Sequence, residues 1–208
     1  MDLTRPLAVV TPTLDGDVLR VLARKQDALT PGELQRLLGA HSVDGIRKAL
    51  NRLAGQGIVL SRRAGSGNLY RLNRHHLAAG AILELANMRR TFLTRLASEL
   101  AAWQAPATYA ALFGSAARDD MTATSDIDIF LLRPTAVNPE LWSDQIISLV
   151  TRVTAWTGND TRILEYSRAE VAAHRREPVL AAVQDEGIPL VGDAEEFRRA
   201  RRSGDHAE

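Results

Sequence analysis

The segment ALFGSAARDDMTATSDIDIFLL, residues 111–132, restricts the fold of this chain more than any other stretch. An apolar run reaches Phe113, breaks at Gly114, and resumes at Ile127 after a polar interval. Runs of this kind, bounded by turn-formers, read as buried strands. Gly114 lets the backbone turn sharply, so that Ser115 and the amides after it can begin a helix. A helix start with free N–H groups and no obstructing side chain is a cradle for phosphate, and the Ser115 hydroxyl adds a further donor. Asp126 and Asp128 alternate with Ile127 and Ile129. In a strand this puts both carboxylates on one face, about 6–7 Å apart, with the isoleucines facing the core. Two ionised carboxylates on one face repel unless a cation lies between them, and hard oxygen ligands favour magnesium or manganese. Taken singly, Gly-Ser occurs by chance in most chains, and Asp-x-Asp reads equally as an Asx-rich turn in which Ser125 and Asp126 cap a loop. Their joint occurrence, ten residues apart between two apolar runs, is the informative feature.

Around this segment the order is strand (108–113), strand (127–132), helix (139–156), strand (161–166), a further helix, and a last short strand in EGIPLVGD. This describes an α/β domain over residues 105–192, followed by a charged helix end or tail over 193–208. Before it, Leu85, Met88, Phe92, Leu96 and Leu100 recur at helical spacing, and Pro106 ends the pattern. One linking helix is expected over residues 76–104, its stripe packing on the second domain or on a dimer partner. Residues 1–75 begin with a helix from Leu14 to about Leu29. Thr30-Pro31-Gly32-Glu33 then offers a capping box for a second helix. Ser42 can cap a third helix whose Val43, Ile46, Leu50 and Leu53 face inward, leaving Arg47, Lys48, Asn51 and Arg52 outward. IVLSRR and NLYRLN, joined across Ala64-Gly65-Ser66-Gly67, read as a two-stranded hairpin.

Three helices and a hairpin resemble the winged helix-turn-helix of bacterial transcription regulators. In that family the third helix enters the major groove and the wing touches phosphates. The resemblance implies that Arg47, Lys48, Asn51 and Arg52 would read the groove, and Arg62 and Arg63 the DNA backbone. The charge balance is compatible, since residues 1–75 hold twelve basic and six acidic residues in a chain of net charge +1. An uneven but solvated surface, or a winged helix used for protein contacts, would show the same balance.

The strand, Gly-Ser, ten residues and Asp-x-Asp together resemble the signature of DNA-polymerase-beta-type nucleotidyltransferases, and especially the minimal nucleotidyltransferases and kanamycin nucleotidyltransferase. The resemblance implies that Gly114 and Ser115 hold a triphosphate, that Asp126 and Asp128 bind two metal ions (Mg2+ or Mn2+), and that Arg118 approaches a phosphate. It further implies transfer of an NMP group from an NTP, with ATP the expected donor, to a protein, an RNA end or a small molecule. Toxin–antitoxin pairs are among the settings in which the family acts. Family members carry a third carboxylate on the next strand. In NDTRILEYS the acids are Asp160 and Glu165, and Glu165 is the candidate for both metal binding and catalysis. An alternative alignment puts Arg162 at that position and would make the domain a nucleotide sensor without turnover.

The expected fold class is thus a two-domain α+β/α/β chain: a winged helix-turn-helix, a linking helix, and a mixed sheet with helices. The chain has no cysteine, which excludes disulfides and thiolate metal sites. His41, His75, His76, His174 and His206 show no ligand spacing. With no signal-like or membrane-length apolar run, a cytoplasmic location without membrane association is expected. A homodimer on two DNA half-sites would suit a single small reading head.

Overall fold

The apolar stripe of Val18, Val21 and Leu22 folds as α1 (Leu14–Arg24) and is buried in the computed structural model, which describes residues 1–39, 41–65 and 67–203. Ala40, Ser66 of the predicted hairpin turn, and the end of the predicted tail including His206 lie outside the described residues. α1 stops at Arg24 instead of running to Leu29. Leu29 exchanges two backbone hydrogen bonds with Tyr70, each of 2.8 Å. One bridging residue is too short to leave an alternating pattern, so the sequence reads as helix there.

α2 (Pro31–Leu38) starts on the predicted capping box: Glu33 N–H donates to Thr30 Oγ1 at 3.2 Å, and Thr30 N–H to Glu33 Oε2 at 2.7 Å. Ser42 Oγ caps α3 (Val43–Gly55) by accepting from Gly45 N–H at 3.1 Å. Ile46, Ala49, Leu50 and Leu53 are buried, Val43 is half-buried, and Arg47, Lys48, Asn51 and Arg52 are exposed on the other side of the helix. β1 (Val59–Ala64) and β2 (Gly67–Leu72) pair antiparallel, from Val59 opposite Leu72 to Ala64 opposite Gly67. α4 (Ala79–Ala86) closes this core through Ala79 and Ala86. These elements belong to a unit of residues Arg5–Arg89.

The single linking helix expected over 76–104 is two helices, α4 and α5 (Met88–Ala101). Asn87 caps α4, its N–H shared between the carbonyls of Leu83 and Glu84 at 3.1 Å each. Asparagine is a weak helix former because its amide competes for backbone partners. The second unit comprises Met1–Thr4 and Arg90–Glu208. Phe92, Leu96 and Leu100 are buried inside it with Leu112, Leu149 and Val153, so the stripe offered as a dimer interface is already covered by its own chain.

The sheet of this second unit runs β5-β4-β3-β6, with β3 (Tyr109–Phe113), β4 (Ile127–Leu132), β5 (Thr161–Tyr166) and β6 (Ile188–Gly192). β3 is antiparallel to both β4 and β6, and β4 is parallel to β5. A parallel neighbour requires a crossover, which α7 (Pro139–Thr157) supplies, starting on Asn138, whose Oδ1 accepts from Glu140 N–H at 2.9 Å. The mixed sheet expected from the sequence is therefore present. Strand alternation sorts its residues to two faces. Ile127, Ile129, Leu131 and Ile163 pack on the face of α5 and α7. Phe130, Leu132, Leu164 and Tyr166 pack on the other, with α8 (Arg168–Ala173), α9 (Pro178–Glu186) and α10 (Ala194–Arg202).

Of the two alternatives for residues 193–208, a charged helix end or a tail, residues Ala194–Arg202 take the first as α10, which is docked by its apolar residues. Phe197 is 1% exposed, stacks on Tyr109 at 5.7 Å and meets Phe130 edge-on at 4.9 Å. Burial of one phenylalanine contributes about 1.5–3 kcal/mol, enough to fix a short helix otherwise made of charges. Two buried positions, Phe197 and Ala200, are too narrow a stripe to stand out in EEFRRARR.

Candidate active site

Phe113 closes β3 opposite Asp128 of β4, so the residue after Phe113 must turn directly over the Asp128 side chain. That residue is Gly114, with φ 71° and ψ −154°, a conformation essentially restricted to glycine. A Cβ at Gly114 would lie 2.5 Å from Asp128 Oδ2. The carboxylate thus fills the space the glycine leaves. Ser115 opens α6 (Ser115–Arg118) as the sequence implies, and Asp119 in the left-handed region ends it. The two halves of the motif, separated by ten residues in sequence, meet at one point.

Asp128 and Arg162 are register partners on the parallel strands β4 and β5, hence on the same face. Arg162 Nη1 donates to Asp126 Oδ2 at 2.8 Å, which gathers Asp126, Asp128 and Arg162 into one cluster. Burial first, and the neighbouring Asp126 charge second, push the Asp128 carboxyl above the ordinary range, with Arg162 and Arg118 opposing. A cation at the pair would relieve that strain. Magnesium commonly takes one or two protein carboxylates and completes its shell with phosphate and water oxygens, so the donor set fits one such ion carried with a triphosphate. Among the described residues no three acidic or histidine side chains converge as a metal cage.

The structure does not bring Glu165 to this cluster. Glu165 is in register with Leu131 and points to the opposite face from Asp128, because it differs from Arg162 by an odd number of strand positions. Its Oε2 accepts from Trp142 Nε1 at 2.5 Å, and its Oε1 lies 3.7 Å from Arg133 Nη1. The carboxylate borders a cavity of about 600 Å³ lined also by Arg133, Pro139, Trp142 and Ile163, which holds neither aspartate. Asp160 is exposed, and its carbonyl accepts from Ile127 N–H at 2.8 Å. Arg162 therefore stands on the neighbouring strand beside Asp128, the place where the sequence pointed to Glu165.

Arg118 is close enough to influence Asp128, yet its side chain is engaged with Asp120 at 3.0 Å and Glu186 at 2.8 Å. Sequence reasoning misses Glu186, which is 68 residues away. It also misses Asn159, 4% exposed, whose Nδ2 donates to Ala123 O at 3.1 Å and Ser125 O at 2.8 Å. That amide pins the loop delivering Asp126. No local pattern marks such a contact.

In the first unit, Arg47 and Asn51 share a cleft with Thr30, Gly32, Asn68 and Tyr70. Lys48 pairs with Asp44 at 2.9 Å, and Arg52 with Asp15 at 2.9 Å. Arg62 and Arg63 are exposed on β1.

Residues 94–157 match the family model of the nucleotidyltransferase domain. That match supports an enzyme of this class. It contains Gly114, Ser115, Arg118, Asp126 and Asp128, and ends before Arg162 and Glu165. No curated protein matches the chain. Among solved structures, a toxin–antitoxin complex with AMP-PNP aligns at 16% identity over 55% of this chain and 82% of that one, with a TM-score of 0.36. The tri-AMPylated Shewanella oneidensis HEPN toxin in complex with MNT antitoxin aligns at 16% identity over 56% and 83%, with a TM-score of 0.38. An MntA–HepT complex gives 15% over 55% and 82%, with a TM-score of 0.36. Likeness at that level carries nothing about substrate or partner. Among the described residues no helix is long and apolar enough to cross a membrane.

Proposed function

We propose that the second unit transfers a nucleoside monophosphate from a nucleoside triphosphate, ATP first, to a hydroxyl group supplied by an acceptor outside the chain. The observation that carries this reading is the fit of Asp128 into the space left by Gly114, which supports reading the turn and the carboxylate pair as parts of one site. In the reaction the acceptor oxygen attacks the α-phosphorus in line and pyrophosphate leaves. Gly114 and Ser115 would receive the phosphate chain at the turn, and Asp126 and Asp128 would hold a magnesium ion beside it. When bound, that ion supplies charge neutralisation at the triphosphate and lowers the pKa of the attacking hydroxyl. Asn159 holds the loop on which Asp126 depends. Pyrophosphate release from ATP, magnesium and a cell extract tests the reading. Release that survives Asp126→Asn with Asp128→Asn would reject it.

A second reading, a nucleotide-binding regulator without turnover, is favoured by one observation: Arg162 beside Asp128 in the strand register, ion-paired to Asp126. The first unit serves either reading as a winged helix-turn-helix for duplex DNA. Arg47 and Asn51 of α3 are its candidates for base contact, while Lys48 and Arg52 are held by Asp44 and Asp15. Arg62 and Arg63 would contact phosphates.

A further inference from the structure

Arg162 contributes a guanidinium where the family resemblance implies a carboxylate, and its contacts define what it can do. Its ion pair, Nη1 to Asp126 Oδ2 at 2.8 Å, lies at the rim: Arg162 is 71% exposed and Asp126 26%. Arg118, by contrast, is held by two carboxylates. Arg162 is thus the more releasable of the two arginines that act on Asp128. A divalent ion at the aspartate pair competes for the Asp126 charge with a guanidinium that already holds Oδ2, and a guanidinium has donors only. The same planar fork matches phosphate oxygens in bidentate fashion better than an ammonium does.

We propose that Arg162 is an exchange cation: it neutralises Asp126 before loading, gives that carboxylate up to the metal, and transfers to the phosphates of the incoming triphosphate. The proposal rests on the reading of Asp126 and Asp128 as the metal-holding pair. Metal alone meets a carboxylate already paired and binds weakly. Triphosphate without metal meets Asp126 and Asp128 with Arg162 still committed, and it too binds weakly. Metal and triphosphate together leave neither Asp126 nor Arg162 without a partner, since the ion replaces the guanidinium at Asp126 and the guanidinium finds a second anion. The arginine therefore makes loading concerted, and it does so from an exposed position that leaves the apolar core untouched.

The test measures Mn2+ binding by electron paramagnetic resonance of the free ion, and binding of α,β-methylene-ATP with Mn2+ by calorimetry. The proteins are wild type, Arg162→Ala, Arg162→Lys, and Asp126→Asn with Asp128→Asn, each checked for folding by circular dichroism. Arg162→Ala is expected to tighten Mn2+ alone and to weaken the Mn2+-nucleotide complex, each about three- to tenfold, the size of one partly exposed charge contact. Arg162→Lys should retain the block on free metal while losing part of the nucleotide affinity, because it keeps the charge without the fork. Opposite signs in the two titrations would support the exchange. Unchanged Mn2+ affinity in Arg162→Ala, or both affinities moving the same way, would overturn it while loss of Mn2+ binding in the double aspartate variant keeps the metal site standing. Absence of Mn2+ binding in wild type and Arg162→Ala alike would overturn both.

Discussion

Gly114→Ala separates the backbone demand of the site from its steric demand. The backbone at φ 71° and ψ −154° is in a region costing a non-glycine residue about 1–3 kcal/mol. The new Cβ would stand 2.5 Å from Asp128 Oδ2 but 3.4 and 3.5 Å from its Cγ and Cβ. Only the end of a rotatable side chain clashes, so turning the carboxylate relieves the contact more cheaply than moving β4. The stability loss should therefore be the backbone part, about 2 kcal/mol, or roughly 5–10 °C in melting temperature for a unit of this size. The steric part should appear as at least a tenfold loss of metal affinity, the equivalent of about 1.4 kcal/mol, because Asp128 leaves its position. Gly158→Ala is the control: φ is 70° and ψ 11°, and nothing lies within 4 Å of the added Cβ. It should cost about 1–2 kcal/mol and leave metal binding alone. Melting curves and Mn2+ titrations on both variants decide the matter. Gly114→Ala with wild-type Mn2+ affinity would refute the claim that glycine and carboxylate form one site.

Other consequences are as direct. The Asp128 carboxyl is raised above its ordinary range by burial and then by Asp126, so the fold binds its proton more tightly than the unfolded chain does. Stability of the metal-free protein is then lost as pH rises from the ordinary aspartate range, about 4, through the raised pKa. Asp128→Asn should accordingly be more stable than wild type at pH 7 without metal, with the gain gone below about pH 4; chemical denaturation showing no gain at pH 7 would contradict this. Glu165→Ala should keep nucleotide binding within about twofold, since Glu165 is on the other face, and should change Trp142 fluorescence by removing its indole partner. Loss of nucleotide binding there would restore Glu165 to the site. In duplex selections, Asn51→Ala should weaken mainly the preferred sequence by about 1–3 kcal/mol, whereas Arg62→Ala with Arg63→Ala should weaken all sequences and flatten the salt dependence. Retained sequence preference in Asn51→Ala would remove Asn51 from the base contacts and leave Arg47 as the candidate of α3.

Those parts of the fold that are written in local pattern are legible in the amino-acid sequence. Thr30 and Glu33 announce a capping box, Ile46 and Leu50 an inward stripe, and Phe113-Gly114-Ser115 a strand, turn and helix start. Asp126 and Asp128 are legible because a period of two dictates their common face. Register is not. Whether Arg162 or Glu165 stands beside Asp128 depends on how β5 slides along β4, and a slip of one residue exchanges the faces. The strand TRILEY carries apolar residues on both faces, Ile163 on one and Leu164 and Tyr166 on the other, so its hydrophobic pattern does not select between registers. Long-range partners such as Glu186 for Arg118 and Asn159 for the Ala123–Ser125 loop have no local signature at all. The break at Asn87 is hidden because one weak helix former does not interrupt the apolar period around it, and the docking of Phe197 because a weak local signal is overridden by tertiary packing.

The most direct test of the central claim compares ATP labelled at the α-phosphate with ATP labelled at the γ-phosphate, each incubated with the protein, magnesium and a cell extract. Transfer of a nucleoside monophosphate predicts that α-label enters an acceptor, that γ-label leaves with pyrophosphate, and that both events stop with a chelator or with Asp126→Asn and Asp128→Asn. Label entering from the γ-position, or α-label incorporation that persists in the double variant, would contradict the account.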